Sequence, residues 1–98
     1  MEKQEVDLKE AVRIATDVIR DVYHNVEFKD LLLEEIERSD GTWLVTIGFT
    51  RRVPDESFAS LAGRPPWQRV YKRIKIDAQT GKFLGMEIRE PQTDSSLR

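Results

Sequence analysis

The apolar positions of this chain change their period once, and that change predicts its architecture. From Asp7 to Tyr23 they recur every three or four residues, at Leu8, Ala11, Val12, Ala15, Val18, Ile19 and Val22. That spacing places them on one stripe of an amphipathic helix. Asp7 stands as N-cap, with Glu10 three residues on as in a capping box, and Val6 and Ala11 occupy hydrophobic-staple positions. The opposite face carries Lys9, Arg13, Asp17, Arg20 and Asp21, so one side of the helix is wet. His24 and Asn25 end it. The segment Lys29 to Arg38 has apolar positions (with Phe28, Leu31, Leu32 and Ile36) that suit a helix, and its Leu, Glu and Lys favour one. Ser39-Asp40-Gly41-Thr42 follows at once as a tight turn, and then Trp43, Val45, Ile47 and Phe49 alternate along Trp43–Thr50. An Asp-Gly turn between two extended runs is a hairpin signal, so 29–38 is predicted as a strand. Residues 51–66 break the pattern, and Trp67 to Asp77 resumes as a strand. A second hairpin closes the chain, with Val70, Ile74 and Ile76 before Asp77-Ala78-Gln79-Thr80-Gly81 and Leu84, Met86 and Ile88 after it. Gly81 supplies the positive φ that such a loop needs.

One helix followed by four strands predicts an α+β fold: an N-terminal amphipathic helix packed on a four-stranded antiparallel meander. The second face of the sheet is expected to be wet, with Thr46, Lys75, Glu87 and Arg89 on it. Ninety-eight residues form a single domain, with an ordered core over about 6–90 and tails at 1–5 and 91–98. A chain of this size has no room for two lobes around a deep cleft. With no cysteine, disulfides, thiolate metal sites and thiol chemistry are excluded, and a reducing compartment is favoured. The charged N-terminus MEKQEVDLKE is no signal peptide, and no apolar run approaches the length of a membrane span. The chain reads as cytoplasmic, unless a leader has been removed.

Charge refines the picture. The net charge is −2, but residues 1–40 carry six Lys/Arg against twelve Asp/Glu, and residues 41–98 carry ten against six. The basic excess lies in 51–75, where Arg51, Arg52, Arg64, Arg69, Lys72, Arg73 and Lys75 face only Asp55 and Glu56. Such halves can neutralise one another within the fold or mark a partner site.

The stretch YKRIKIDAQTGKFLGMEI, above all Ile-Asp-Ala-x-Thr-Gly after an alternating strand, resembles the PepSY-type domains of protease propeptides and stand-alone bacterial proteins. Asp40-Gly41-Thr42-Trp43-Leu44-Val45-Thr46-Ile47 is similar to the central hairpin of that family, and Asp7–Tyr23 takes the place of its N-terminal helix. The resemblance spans about 7–90. It implies a helix on an antiparallel sheet, as in PepSY and cystatin-like folds, and a non-catalytic binding, regulatory or inhibitory role. Two features depart from the family. Its members are commonly exported, and 51–66 is longer and more basic than its interstrand connections.

The candidate surface is the connector and its flanks: Arg51, Arg52, Phe58, Arg64, Trp67, Arg69 and Tyr71, with Lys72 beside them. Arginine with Trp and Tyr is the composition of protein-interface hot spots. The same mixture contacts phosphates and stacks on unpaired bases, but the low net charge ranks nucleic acid below a protein partner. In a purely structural role Trp67 and Phe58 would cap the core while the arginines guard a strand edge. Arg64-Pro65-Pro66-Trp67 reads as a rigid lead into a strand more readily than as a polyproline ligand. His24, the single histidine, suits a helix C-terminus better than a catalytic triad. Glu34, Glu35, Glu37 and Asp40 lack the spacing of a Ca²⁺ loop and are expected to form a solvated strand edge, with pairing to the basic segment, within the fold or across a dimer, as the alternative. No phosphate loop, GxSxG elbow or metal-ligand spacing is present, so the expectation is no enzyme and no cofactor. An exposed edge strand leaves a homodimer or a purely structural subunit as a further possibility.

Overall fold

The structure, a computed structural model, describes residues 5–52 and 67–89. Within them the order is α1 (Leu8–Val22), β1 (Phe28–Ser39), β2 (Thr42–Arg52), β3 (Trp67–Asp77) and β4 (Phe83–Ile88). The strands form one sheet in the order β1-β2-β3-β4, each antiparallel to the next. One helix on a four-stranded antiparallel meander is the predicted α+β arrangement, and 29–38 is strand.

α1 begins where it does because the Asp7 carboxylate accepts the Glu10 N–H at 2.8 Å, relieving one of the orphan donors of the first turn. The reciprocal arm of a capping box is replaced: the Glu10 carboxylate turns to Arg13, at 2.6 Å. The face that meets the sheet is Ala11, Ala15 and Ile19, with Ile14 and Val18 beside them. Two alanines on the contact line let helix and sheet approach closely. The stripe is therefore rotated from the predicted one. Ile14 packs on the core, while Leu8 and Val22 at the helix ends stay half exposed. Against this face lie Val45, Ile47 and Phe49 of β2 and Ile74 and Ile76 of β3, all fully buried. Tyr23 and Phe28 tilt onto Phe49, with ring centroids 5.0 and 5.5 Å away.

The end of the sheet that holds both hairpin turns is stitched by backbone. Asp40 and Gly41 have φ of 45° and 78°, the doubly positive pattern of a two-residue type I′ hairpin. The Asp77 carboxylate accepts the Gln79 and Thr80 N–H groups at 2.8 and 3.0 Å. The Gly81 N–H donates to the Asp77 carbonyl, and Gly81 has φ 79°. Ala78 is fully buried: its N–H donates to the Gly41 carbonyl and its own carbonyl accepts the Val6 N–H. The Trp43 indole donates to the Val6 carbonyl at 2.8 Å. The Asp-Ala-x-Thr-Gly run thus has a task for each named residue, and Ala78 joins the helix entry to both turns. Glu5, expected in a frayed tail, reaches Arg38 at 3.1 Å.

Two expectations change. Leu84, Met86 and Ile88 do not share a buried stripe. The β3–β4 register shifts between Lys75 and Ile76, which takes Leu84 out of alternation. Only Met86 of the three packs on the core, and Ile88 is 69% exposed. The second face is not wet at its centre either, because Thr46 is only 4% exposed. The direct cross-strand neighbours of Thr46 are Glu35 and Arg73. The predicted tail 91–98 and most of the connector, including Phe58, Arg64 and Pro65-Pro66, lie outside the described residues.

Candidate interface at the open end of the sheet

Strand alternation sorts the nominated residues. In β2 the odd positions from Val45 to Phe49 face the helix, so Arg52 faces away from it and Arg51 toward it. Direct pairing of Arg52 with Trp67 and of Thr50 with Arg69 places Trp67, Arg69 and Tyr71 on the helix-free face with Arg52. Four of the seven nominated residues are thus brought together at the end of the sheet opposite the turns. Arg51 is set on the other side, where its Nε is buried and has no hydrogen-bond partner among the described residues.

At this end Trp67 is flanked by cations. Lys29 Nζ stands 4.2 Å from the ring centroid, and the Arg52 guanidinium 5.8 Å. Such contacts contribute roughly 0.5–1 kcal/mol each at exposed sites. Arg69 comes next, and its guanidinium is a clamp. It donates to the Asp30 carbonyl at 2.6 Å, to Thr50 Oγ1 at 3.2 Å and to the Glu34 carboxylate at 3.1 Å. Asp30 has φ 56° and lies within the Lys29–Leu32 shift of the β1–β2 register, which shifts again between Leu33 and Glu35. Arg69 therefore reaches across β2 to hold a bulge in β1 in place.

Gly48 makes that crossing possible. A Cβ there would stand 2.8 Å from Glu34 Oε2 and 3.0 Å from both Arg69 Nη2 and Tyr71 Cδ1. Glycine in a central strand marks this close approach. Further along the face, Glu87 pairs with Lys75 at 3.1 Å and Arg73 at 3.9 Å, and Arg89 reaches Glu35 at 3.2 Å. The Glu87 carboxyl is held below its usual range, first by the hydrogen bond from Lys75 and then by the surrounding positive charge. Two members of the acidic run, expected as a solvated edge, thus pair within the fold: Glu34 with Arg69 of the basic segment and Glu35 with Arg89.

β4 does not reach this end. Among the described residues it pairs with β3 across Lys72–Ile76, and the Arg89 N–H on the Tyr71 carbonyl is the furthest link toward this end. Beyond that point the outer edge of β3 borders a cleft of about 350 Å³. Arg69, Tyr71 and Arg89 line it on the helix-free side, and Val70, Lys72 and Ile88 on the other. This edge, Lys29 and Glu34 were not singled out from sequence as parts of the site. A glycine inside the alternating run of β2 was the available sign of the crowding above it.

His24 lies at the helix end, with Nδ1–H donating to the Asp21 carbonyl at 2.9 Å, the capping geometry expected of it. Among the described residues no group of His, Asp or Glu is arranged to hold a metal ion, and no helix is long and apolar enough to cross a membrane. No protein-family model, curated protein or solved structure matches this chain.

Proposed function

We propose that this chain is a small non-catalytic protein-binding or regulatory module of PepSY-like type, acting in the cytoplasm. It engages its partner through the basic and aromatic end of the sheet. One observation carries the reading: Arg52, Trp67, Arg69 and Tyr71 share one face at the end that β4 leaves uncovered. Trp, Tyr and Arg are the side chains that most often dominate association energy. Trp67 and Arg52 are the bet for direct contact. Arg69 orders the surface from within, since its guanidinium is held by Asp30, Thr50 and Glu34.

The test is affinity capture from native cell extract with the full chain and with the Arg52→Ala/Trp67→Ala variant, with and without nuclease. A protein retained by the wild type alone, in both conditions, supports the reading, provided the variant keeps its circular dichroism spectrum. Equal retention by both chains removes these residues from the site. Recovery that disappears with nuclease transfers the surface to nucleic acid, and a steep loss of affinity with salt would accompany it.

A further inference from the structure

We infer that the outer edge of β3 between Trp67 and Tyr71 is a strand-addition site for an extended partner segment in which carboxylates alternate with apolar residues. The inference rests on the protein-binding reading and specifies the partner's chemistry.

The backbone provides the first argument. The Tyr71 carbonyl accepts the Arg89 N–H and the Asp77 N–H donates to the Lys82 carbonyl, so odd-numbered residues of β3 aim their backbone groups outward, away from β2. Two residues back from Tyr71, the Arg69 N–H and C=O point the same way. No strand stands opposite them among the described residues. Paired donors and acceptors on a sheet edge are a template for another chain.

The cleft's two sides provide the second argument. Successive side chains of an added strand point to opposite faces. One set would meet Arg69, Tyr71 and Arg89, and the other Val70 and the largely exposed Ile88. Carboxylates suit the first side, where Arg69 and Arg89 bring two guanidiniums to one edge although each already holds one glutamate, Glu34 and Glu35. Aliphatic groups suit Val70 and Ile88 on the second. Among the described residues the cleft lining contains no carboxylate. A second copy of this chain fits worse, because a two-fold pairing centred on this edge would bring Arg69 against its own duplicate. Like charges across a strand pair are destabilising.

The experiment uses the full chain, ¹⁵N-labelled, and a fluorescent peptide of about ten residues alternating Glu and Val. On saturation, amide exchange at Arg69 should slow by about tenfold or more, while Gln68 and Val70, whose amides face β2, change little. A Lys-Val peptide should bind about threefold more weakly or worse. Arg69→Pro deletes the outward N–H, whereas Arg69→Ala removes the same side chain and keeps it. Affinity for the Glu-Val peptide should be about tenfold lower in the proline variant than in the alanine variant. Failure of the Glu-Val peptide to bind, binding without added protection at Arg69, or equal affinity of the two variants would overturn the inference. Should Arg69→Pro fail to fold, the exchange result on the wild type decides. Extract capture that is lost in Arg52→Ala/Trp67→Ala but kept in Arg69→Pro leaves the protein-binding function standing and removes the edge from it.

Discussion

The two ends of the sheet are held by different means. At the turn end, Val6, Gly41 and Ala78 exchange backbone hydrogen bonds, and the Asp77 carboxylate organises its own loop. At the open end, order comes from side chains: the Tyr23, Phe28 and Phe49 rings on the helix side, and Arg69, Glu34 and the Trp67 cations on the other. Backbone stitching uses up the groups that another chain could pair with. Side-chain order leaves them outward on β3. The difference separates the end whose backbone groups are already paired from the end whose β3 edge keeps them outward.

The largest effect should come from the aromatic cluster. Phe49→Ala removes a fully buried ring that two others touch, and should cost about 3–5 kcal/mol in urea unfolding. A much smaller loss would mean that the open end is not held by its rings. Gly81→Val attacks the other end. It forces a β-branched residue to φ 79°, with a Cβ 3.3 Å from Ile14 Cδ1 and 3.4 Å from Val6 Cγ2, and about 1–3 kcal/mol should be lost. Exchange protection should fall at the Ala78 and Val6 amides and persist at the open end. Uniform loss would show that the two ends open as one unit.

The Asp77 carboxyl is held below its ordinary range by the Thr80 N–H and then the Gln79 N–H. A group depressed in the folded state stabilises above its unfolded pKa, and that contribution disappears as pH falls through the folded value. Asp77→Ala should therefore be less stable than wild type at neutral pH, and the gap should close below about pH 4. A gap independent of pH would assign the loop's order to Gly81 and Ala78 alone. The smallest effect concerns the Glu34–Arg69 pair, whose side chains are both partly exposed. A double-mutant cycle should give a coupling of about 0.2–1 kcal/mol. A larger value would make the clamp over Gly48 a main support of the open end.

The turn end was legible in the sequence because local chemistry specifies it. Asp40-Gly41 and Asp77-Ala78-x-Thr80-Gly81 each encode their own φ pattern and hydrogen bonds. The β2 core face was legible because Val45, Ile47 and Phe49 alternate without interruption. The open end was only half legible. Its residues were nominated by type, but the face each one occupies depends on register. The bulges near Asp30 and Glu34 and the shift at Lys75/Ile76 arise from cross-strand contacts that no local pattern announces. For the same reason Leu32, Leu33 and Leu84, apolar by type, lie exposed.

The Val6–Ala78 hydrogen bond also bears on the order of folding. The β1–β2 and β3–β4 hairpins each close only a short loop. Seating α1 requires contact between residues at nearly opposite ends of the described chain, and the entropy of closing that loop is recovered only once β3 and β4 have turned back at Ala78. α1 is thus expected to lock last. Ala15→Gly in α1 should accelerate unfolding far more than it slows folding, and stopped-flow measurements of both limbs would show it.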